Sequence, residues 1–419
     1  MRWRLTSALS RFALAGVCGA LLLCYLMVCV TSFLAWRASR SADREHLHLA
    51  ARLEPWNAEH YYQLGRHAFF VSADIAQAIR EFQRALALNP YAAETWLDLS
   101  AAYLAHGDLA NQVQALEAAL KAEPSDPEVE WEAGNLYIVR GETERALGLF
   151  QHLIAAGSTH AQSALDLAWR STRSVDSVLQ MAVPPTPAAR LEFLKLLCQR
   201  HEAAAADRVW ISFLESKPRL PASRMFFYID DLLGRHQVKQ AQMAWRALAD
   251  IDTAIVPADN ENLITNGSFD QAILNGGFGW RYEPRGGVSI LLDTTHFHFG
   301  SRSLLMNFDG EGISETGLWQ LVPVEPNSHY RFSGFMQAEE TETASGPRFE
   351  LADAYTHASV ARSEDVLGST PWRELRADFT TGPDSELLRI GIVRSPPNGR
   401  IRGRVWIDDL KLSRLEMRK

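Results

Sequence analysis

The soluble part of this 419-residue chain has almost no cysteine. Cys18, Cys24 and Cys29 lie in an apolar stretch near the N-terminus, and Cys198 stands alone beyond it. No disulfide can form within the soluble region, and there is no CxxC metal or redox motif. Basic charge is not in excess either: 42 Lys and Arg against 50 Asp and Glu leave a net charge of −8. That argues against a nucleic-acid partner, because phosphate contacts need a cationic surface. Catalytic signatures are also lacking. The chain has no GxSxG elbow, P-loop, GxGxxG or HExxH, and His201-Glu202 has no second His at the required spacing. Paired carboxylates for glycoside hydrolysis leave no mark in sequence, but the domains outlined by the chain's patterning bring no cleft of their own. The expectation is a protein that is not an enzyme and requires no cofactor.

Charge is absent altogether from Phe12 to Trp36, 25 residues bounded by Arg11 and Arg37. At about 1.5 Å per residue this reaches across a hydrocarbon core of roughly 30 Å. A cleavable signal peptide has a shorter apolar core followed by a small-x-small site. Trp36-Arg37-Ala38-Ser39-Arg40 offers no such site. Residues 1–45 are therefore read as an uncleaved single-pass anchor with its flanks, meeting the membrane through residues 12–36. Arg2, Arg4 and Arg11 on one side nearly balance Arg37, Arg40 and Arg44 on the other, so flanking charge alone does not orient it.

What the chain does have is a period. Asn89-Pro90 and Glu123-Pro124 each close an apolar helix, and the two prolines are 34 residues apart. Trp96, Leu99, Tyr103, Gly107, Ala119 and Pro124 form one unit. Gly134, Tyr137, Gly141, Ala146 and Phe150 follow at the same spacing, and Leu64, Gly65, Ala78, Phe82, Ala85 and Pro90 precede it with one extra residue near Val71–Asp74. This pattern resembles the tetratricopeptide repeat, in which small residues let paired helices approach and large ones fill the gap between pairs. Apolar spacing continues through Leu191–Gln199, Ala203–Leu214 and Val238–Leu248, with turns at Pro184-Pro185, Pro218 and Pro221. Residues 46–250 are read as one helical solenoid. Its repeat register places Tyr62, Phe69, Phe70, Leu97, Leu104, Trp131, Asn135 and Ile138 on the inner groove, an apolar surface suited to a hydrophobic peptide or helix of a partner. The chain's own segment His46–Glu54 is the rival occupant.

Residues 251–261, with Pro257-Ala258-Asp259-Asn260, read as a linker. From 262 to 419 the period falls to two, with strands expected at Ser303–Phe308, Gly317–Val324, Tyr330–Ala338, Trp372–Thr380, Leu387–Val393 and Arg404–Leu412. The opening Asn262-Leu263-Ile264-Thr265-Asn266-Gly267-Ser268-Phe269-Asp270, then Gly279-Trp280, Gly300-Ser301-Arg302-Ser303-Leu304, Gln320-Leu321-Val322-Pro323-Val324-Glu325-Pro326 with Tyr330, Trp372 with Phe379, and the closing Val405-Trp406-Ile407-Asp408-Asp409-Leu410 resemble the carbohydrate-binding-module jelly rolls of the galactose-binding-like type. The resemblance covers the C-terminal third and rests on framework residues.

The fold class expected is thus multidomain: a transmembrane helix, an all-α tetratricopeptide-type solenoid and an all-β jelly-roll sandwich. An aromatic ring packs well on a sugar's C–H face, which makes Trp280, Tyr282, His296, His298, Trp319, Tyr355 and His357 the candidate glycan contacts. The resemblance also implies a structural calcium ion near the first and last strands, for which Asp270 and Asp409 are the matching carboxylates. His296-x-His298 without a third ligand reads as a surface face and not as zinc. The basic loop Arg394–Arg404 is a further candidate for anionic glycan or lipid. The functional expectation is a bacterial inner-membrane scaffold, N-terminus inside and the bulk periplasmic. It would bind other envelope proteins through the solenoid and polysaccharide through the sandwich, assisting polysaccharide synthesis, export or modification. The alternative is a protein-assembly factor whose sandwich binds no sugar.

Overall fold

A computed structural model describes residues 8–41, 43–259, 261–395, 397 and 399–415. Contacts divide the chain into two compact units, residues 1–189 and 190–419. The division falls earlier than the change from helix to strand, so the last helices group with the sandwich.

The first unit opens with α1 (Ala8–Ser39). From Leu14 to Ser39 it is long and apolar enough to cross a membrane or to serve as a signal sequence. Side chains from Leu14 to Val30 are almost all exposed, and only toward the end do Ala35 and Ala38 become buried. There α2 (Arg44–Leu53) folds back on α1, contributing buried Leu47, Ala50 and Ala51. Helix pairs follow: α3 (Ala58–Arg66) with α4 (Ile75–Leu88), α5 (Ala93–His106) with α6 (Leu109–Ala122), and α7 (Pro127–Val139) with α8 (Thr143–Ala155). Then come α9 (Ala161–Thr172) and α10 (Val175–Met181). Asp74, Asp108 and Asp126 each cap the helix that follows by accepting a backbone N–H in its first turn, satisfying donors that the helix leaves open.

The repeat is a size-matched contact. Phe82, Leu116 and Phe150 recur every 34 residues and are fully buried. Opposite the two phenylalanines stand Gly65 and Gly134, where an added Cβ would lie 2.5 and 2.4 Å from the ring. Opposite the smaller Leu116 the register holds Ser100, whose hydroxyl donates to the Gln112 carbonyl at 3.0 Å. The extra residue of the first unit does not lengthen the loop alone: His67–Val71 forms a π-helical turn that takes it up. α2 closes the stack by packing Leu47 and Ala51 on Tyr61 and Leu64. It therefore stands where a preceding helix of the stack would.

The division falls within the first turn of α11 (Pro187–Gln199), and α12 (Ala203–Glu215), α13 (Phe226–Gly234) and α14 (Val238–Ala249) follow in the second unit. Ten strands follow: β1 (Arg281–Tyr282), β2 (Val288–Asp293), β3 (Ser303–Gly312), β4 (Glu315–Pro323), β5 (His329–Glu342), β6 (Pro347–Asp353), β7 (Ser359–Arg362), β8 (Gly368–Thr380), β9 (Leu387–Arg394) and β10 (Arg400–Arg414). They form two antiparallel five-stranded sheets, β1-β4-β9-β6-β7 and β2-β3-β10-β5-β8. All six strands expected from the alternation are present. Leu318 and Val322 of one sheet, and Phe332, Met336, Val405 and Ile407 of the other, turn inward to a shared core.

The helices are tied to this sandwich. The rings of Phe226 and Trp245 lie where side chains at Gly276 and Gly277 would be, and Ile255, inside the segment read as a linker, is buried. Arg394, expected in an exposed basic loop, is also buried. Its guanidinium donates to the carbonyls of Ser345 and Ile313 at 3.0 Å and to the Thr343 hydroxyl at 2.6 Å. Loop carbonyls and the Thr343 hydroxyl take up its donors.

Candidate binding surfaces

The outward face of the first sheet is built by strict alternation. On β4, Leu318, Gln320 and Val322 are buried while Trp319 and Leu321 are half-buried on the other side. Trp319 pairs across strands with Arg281 on one side and Gly391 on the other. Glycine there leaves room for the indole, and Arg389, two residues along, reaches it diagonally. The two guanidiniums lie 5.0 and 5.3 Å from the Trp319 ring centre, a double cation–π contact. Each is also ion-paired: Arg281 with Asp230 of α13, and Arg389 with Glu315 at 3.1 Å.

Beside them runs the loop after β6. Buried Asp353 organises it by accepting from the backbone of Tyr355 at 3.0 Å and Thr356 at 2.8 Å. Burial would raise the Asp353 carboxyl, but donation from Ser385 and Thr356 holds it below its ordinary value. Tyr355 is thereby set against α13, its hydroxyl donating to the Leu233 carbonyl at 2.9 Å and its ring stacked on His236 at 3.8 Å. Trp319, Leu321, Arg389, Tyr355, His357 and Leu233 border a cavity of about 380 Å³, within the range of small-ligand sites. Three of the seven glycan candidates meet here.

The other four do not. Trp280 is a core residue, 2% exposed, tilted against Phe269 and donating to the Asn266 carbonyl at 3.1 Å; its ring has no face open to a sugar. Tyr282 is half-buried against the same core. His296 and His298 lie over the other sheet, His296 beside Trp406 and His298 stacked on Phe335 at 3.6 Å. Their loop is held by the buried Asp408 carboxylate, which accepts from the backbone N–H groups of His298 and Phe299 at 2.7 and 2.9 Å. Neighbouring Asp293 would be raised by burial, but Thr295 and the Trp406 indole donate to it and bring it to about 2.

The two carboxylates expected at a calcium ion each have partners within the sandwich. Asp270 accepts from the Ser301 backbone and hydroxyl, both at 2.7 Å, and from Ser268 at 2.9 Å. Asp409 faces His298 at 3.7 Å. Among the described residues no three His, Cys, Asp or Glu side chains gather as a metal site. The Asp270 carboxylate acts as a loop staple. A larger cavity, about 470 Å³, lies between α14 and the strand ends around Pro323–Pro326, with Trp245, Tyr330 and Arg414 in its wall.

In the solenoid the groove register divides by burial. Tyr62 and Leu97 are 5% and 7% exposed and belong to the packing. Phe69, Leu104, Asn135 and Ile138 are half-buried, and Phe70 is exposed. Trp131 is half-buried with one face covered by His160, stacked at 5.2 Å. The Asn135 amide donates to the carbonyl of Trp131 in its own helix at 2.8 Å. What the register missed is charge. Arg66 lies 5.5 Å from the Phe70 ring and within 3.6 and 3.8 Å of Glu94 and Asp98. Burial pushes the Asp98 carboxyl up to about 6 against the pull of Arg66. Arg66 falls four residues after Tyr62, one helical turn on, and that spacing was the available signal.

These features define a helical-repeat solenoid joined to an antiparallel β-sandwich. No protein-family model matches the chain, and no curated protein matches it either. Three similar solved structures are a CBM4 domain, the CBM22-1 xylan-binding domain of Paenibacillus barcinonensis Xyn10C, and YrrB, a TPR protein with an unusual peptide-binding site. Each is 15% identical to this chain. The first covers 36% of this chain and 99% of its own, TM-score 0.28; the second 38% and 99%, TM-score 0.27. YrrB covers 51% and 94%, TM-score 0.24. Scores this low carry no functional argument, and the fold rests on the strand pairing and helix packing of the chain itself.

Proposed function

We propose that the protein is a non-catalytic, single-pass scaffold of the bacterial inner membrane, N-terminus inside, whose solenoid holds other envelope proteins and whose sandwich binds polysaccharide. Its role is to assist synthesis, export or modification of that polysaccharide. The observation that carries the glycan part is the cavity beside Trp319, where a half-buried indole and Arg389 of the sheet meet Tyr355 and His357 of the neighbouring loop, with Arg281 against the same ring. Such a face offers ring stacking together with donors for hydroxyl or carboxylate groups. Support for an uncleaved anchor comes from Ala35 and Ala38, whose burial where α2 packs would be lost with the helix.

Affinity electrophoresis of the detergent-solubilised full chain through gels containing neutral or uronate polysaccharide tests this reading. Retardation that disappears in Trp319→Ala, with the melting temperature unchanged, is the expected result. The second reading, a protein-assembly factor with a purely structural sandwich, is favoured by the ion pairs that already occupy Arg281 and Arg389 and by the engagement of Tyr355 with α13. Unretarded migration in every gel would select it.

A further inference from the structure

The apolar stretch is longer than a bilayer needs, and the structure shows where the surplus goes. Twenty-five uncharged residues from Phe12 to Trp36 make a rod of about 37 Å, against a hydrocarbon core of roughly 30 Å. One face of the last turns of that rod is covered by protein, while Phe33, Leu34 and Trp36 stay exposed on the others. Ala35 and Ala38 are buried where α2 returns alongside α1, and the Ser41 N–H closes the turn onto the Ala38 carbonyl at 3.0 Å. At the far end of α2, the Ser32 side chain is the main influence holding the Glu54 carboxyl below its ordinary value. Glu54 also meets buried His60 at 2.9 Å and the Asn57 amide at 3.1 Å. A carboxylate with these partners marks a level outside the hydrocarbon.

What remains for lipid is Phe12 to Thr31, 20 residues or about 30 Å. The boundary therefore falls between Thr31 and Ser32. Because α2 runs back toward that boundary, the turn Pro55-Trp56 just after Glu54 comes to the same level. That turn is closed by the Asn57 N–H on the Glu54 carbonyl at 3.1 Å, and among the described residues Trp56 is left 64% exposed. Trp36, 50% exposed and capped by the Arg40 guanidinium at 4.3 Å, lies about 7 Å further out. Indole at the lipid–water interface is the favoured placement for this side chain.

Resting on the anchor reading, we infer that the phospholipid interface is itself a binding partner of the solenoid: Trp56 inserts at headgroup level, and the repeat stack begins at the bilayer surface with no linker. The test uses the full chain in phosphatidylcholine vesicles, with Cys18, Cys24, Cys29 and Cys198 replaced by alanine. A single environment-sensitive fluorophore is then placed by Met27→Cys, Trp56→Cys or Tyr91→Cys. Emission from position 56 should be blue-shifted and quenched by bromine-labelled lipid, as at position 27, while the label at exposed Tyr91 should report water and no quenching. A label at 56 that matches 91 while 27 remains lipid-quenched overturns the seating and leaves the anchor standing. If 27 also reports water, the anchor reading falls and the inference with it.

Discussion

Replacing Gly134 by alanine probes the repeat contact most directly. The new Cβ would sit 2.4 Å from Cε1 of Phe150 and 3.1 Å from two further ring atoms, about 1 Å inside ordinary carbon–carbon contact. Phe150 is fully buried and packs at 5.9 Å from Trp131, so its ring cannot swing away freely. Overpacking of this kind costs about 1–3 kcal/mol. Alanine returns about 1 kcal/mol of helix propensity relative to glycine. A 2.4 Å contact calls on the upper part of the overpacking range, about 2–3 kcal/mol, so the expected net loss is about 1–2 kcal/mol, confined to α7 and α8. Hydrogen exchange read by mass spectrometry resolves that segment, and amide protection there should fall roughly 5–30-fold. The α5–α6 repeat supplies the control, because its larger Ser100 is matched by the smaller Leu116. In Gly134→Ala with Phe150→Leu the two changes should cost less together than the sum of each alone, by about 1 kcal/mol. Undiminished protection in the single variant, or strict additivity in the double, would refute the size-matching argument.

Asp98 should make the solenoid's stability fall as pH rises. Its folded carboxyl titrates near 6 against an ordinary 3.8, so between those values the folded chain holds a proton that the unfolded chain releases, and the full penalty applies above pH 6. The shift corresponds to at most about 3 kcal/mol. Asp98→Asn should therefore gain melting temperature over the parent as pH climbs from 4 to 6, and a difference that stays flat over that range would contradict the burial. Arg394→Met strands the carbonyls of Ser345 and Ile313 without donors, so the sandwich should lose about 3–5 kcal/mol, measured by calorimetry. A loss under 1 kcal/mol would show that water replaces the guanidinium. A fragment starting at residue 262 uncovers the Gly276–Phe278 surface that Phe226 and Trp245 cover. It should melt lower and aggregate more than one starting at residue 190, and equal melting by circular dichroism would detach the helices from the sandwich core.

How much the sequence revealed depends on the range of the interactions. The 34-residue recurrence was legible because each small residue and its large partner lie within one helix hairpin, 16 or 17 positions apart. The six main strands were legible because alternation is local. Arg281 with Asp230 and Tyr355 with Leu233 join residues 51 and 122 positions apart, and no local pattern records such a pairing. Trp280 and Arg281 show the same limit at the site. Adjacent residues of a strand point to opposite faces, so an aromatic-rich motif flagged the buried indole and passed over the guanidinium beside it. Arg394 was misread for a related reason. Its ligands are loop carbonyls, which every residue possesses and no sequence advertises.

The π-helical turn at His67–Val71 has a consequence for how this stack tolerates change in length. One supernumerary residue is accommodated by slackening a single coil, so the partners on both sides, Gly65 and Phe82, still meet. Excising that residue would tighten the coil and rotate the downstream helix by about 100°. Phe70, exposed to solvent, is carried on that same slackened coil, so a change of chain length here would also re-aim a surface side chain.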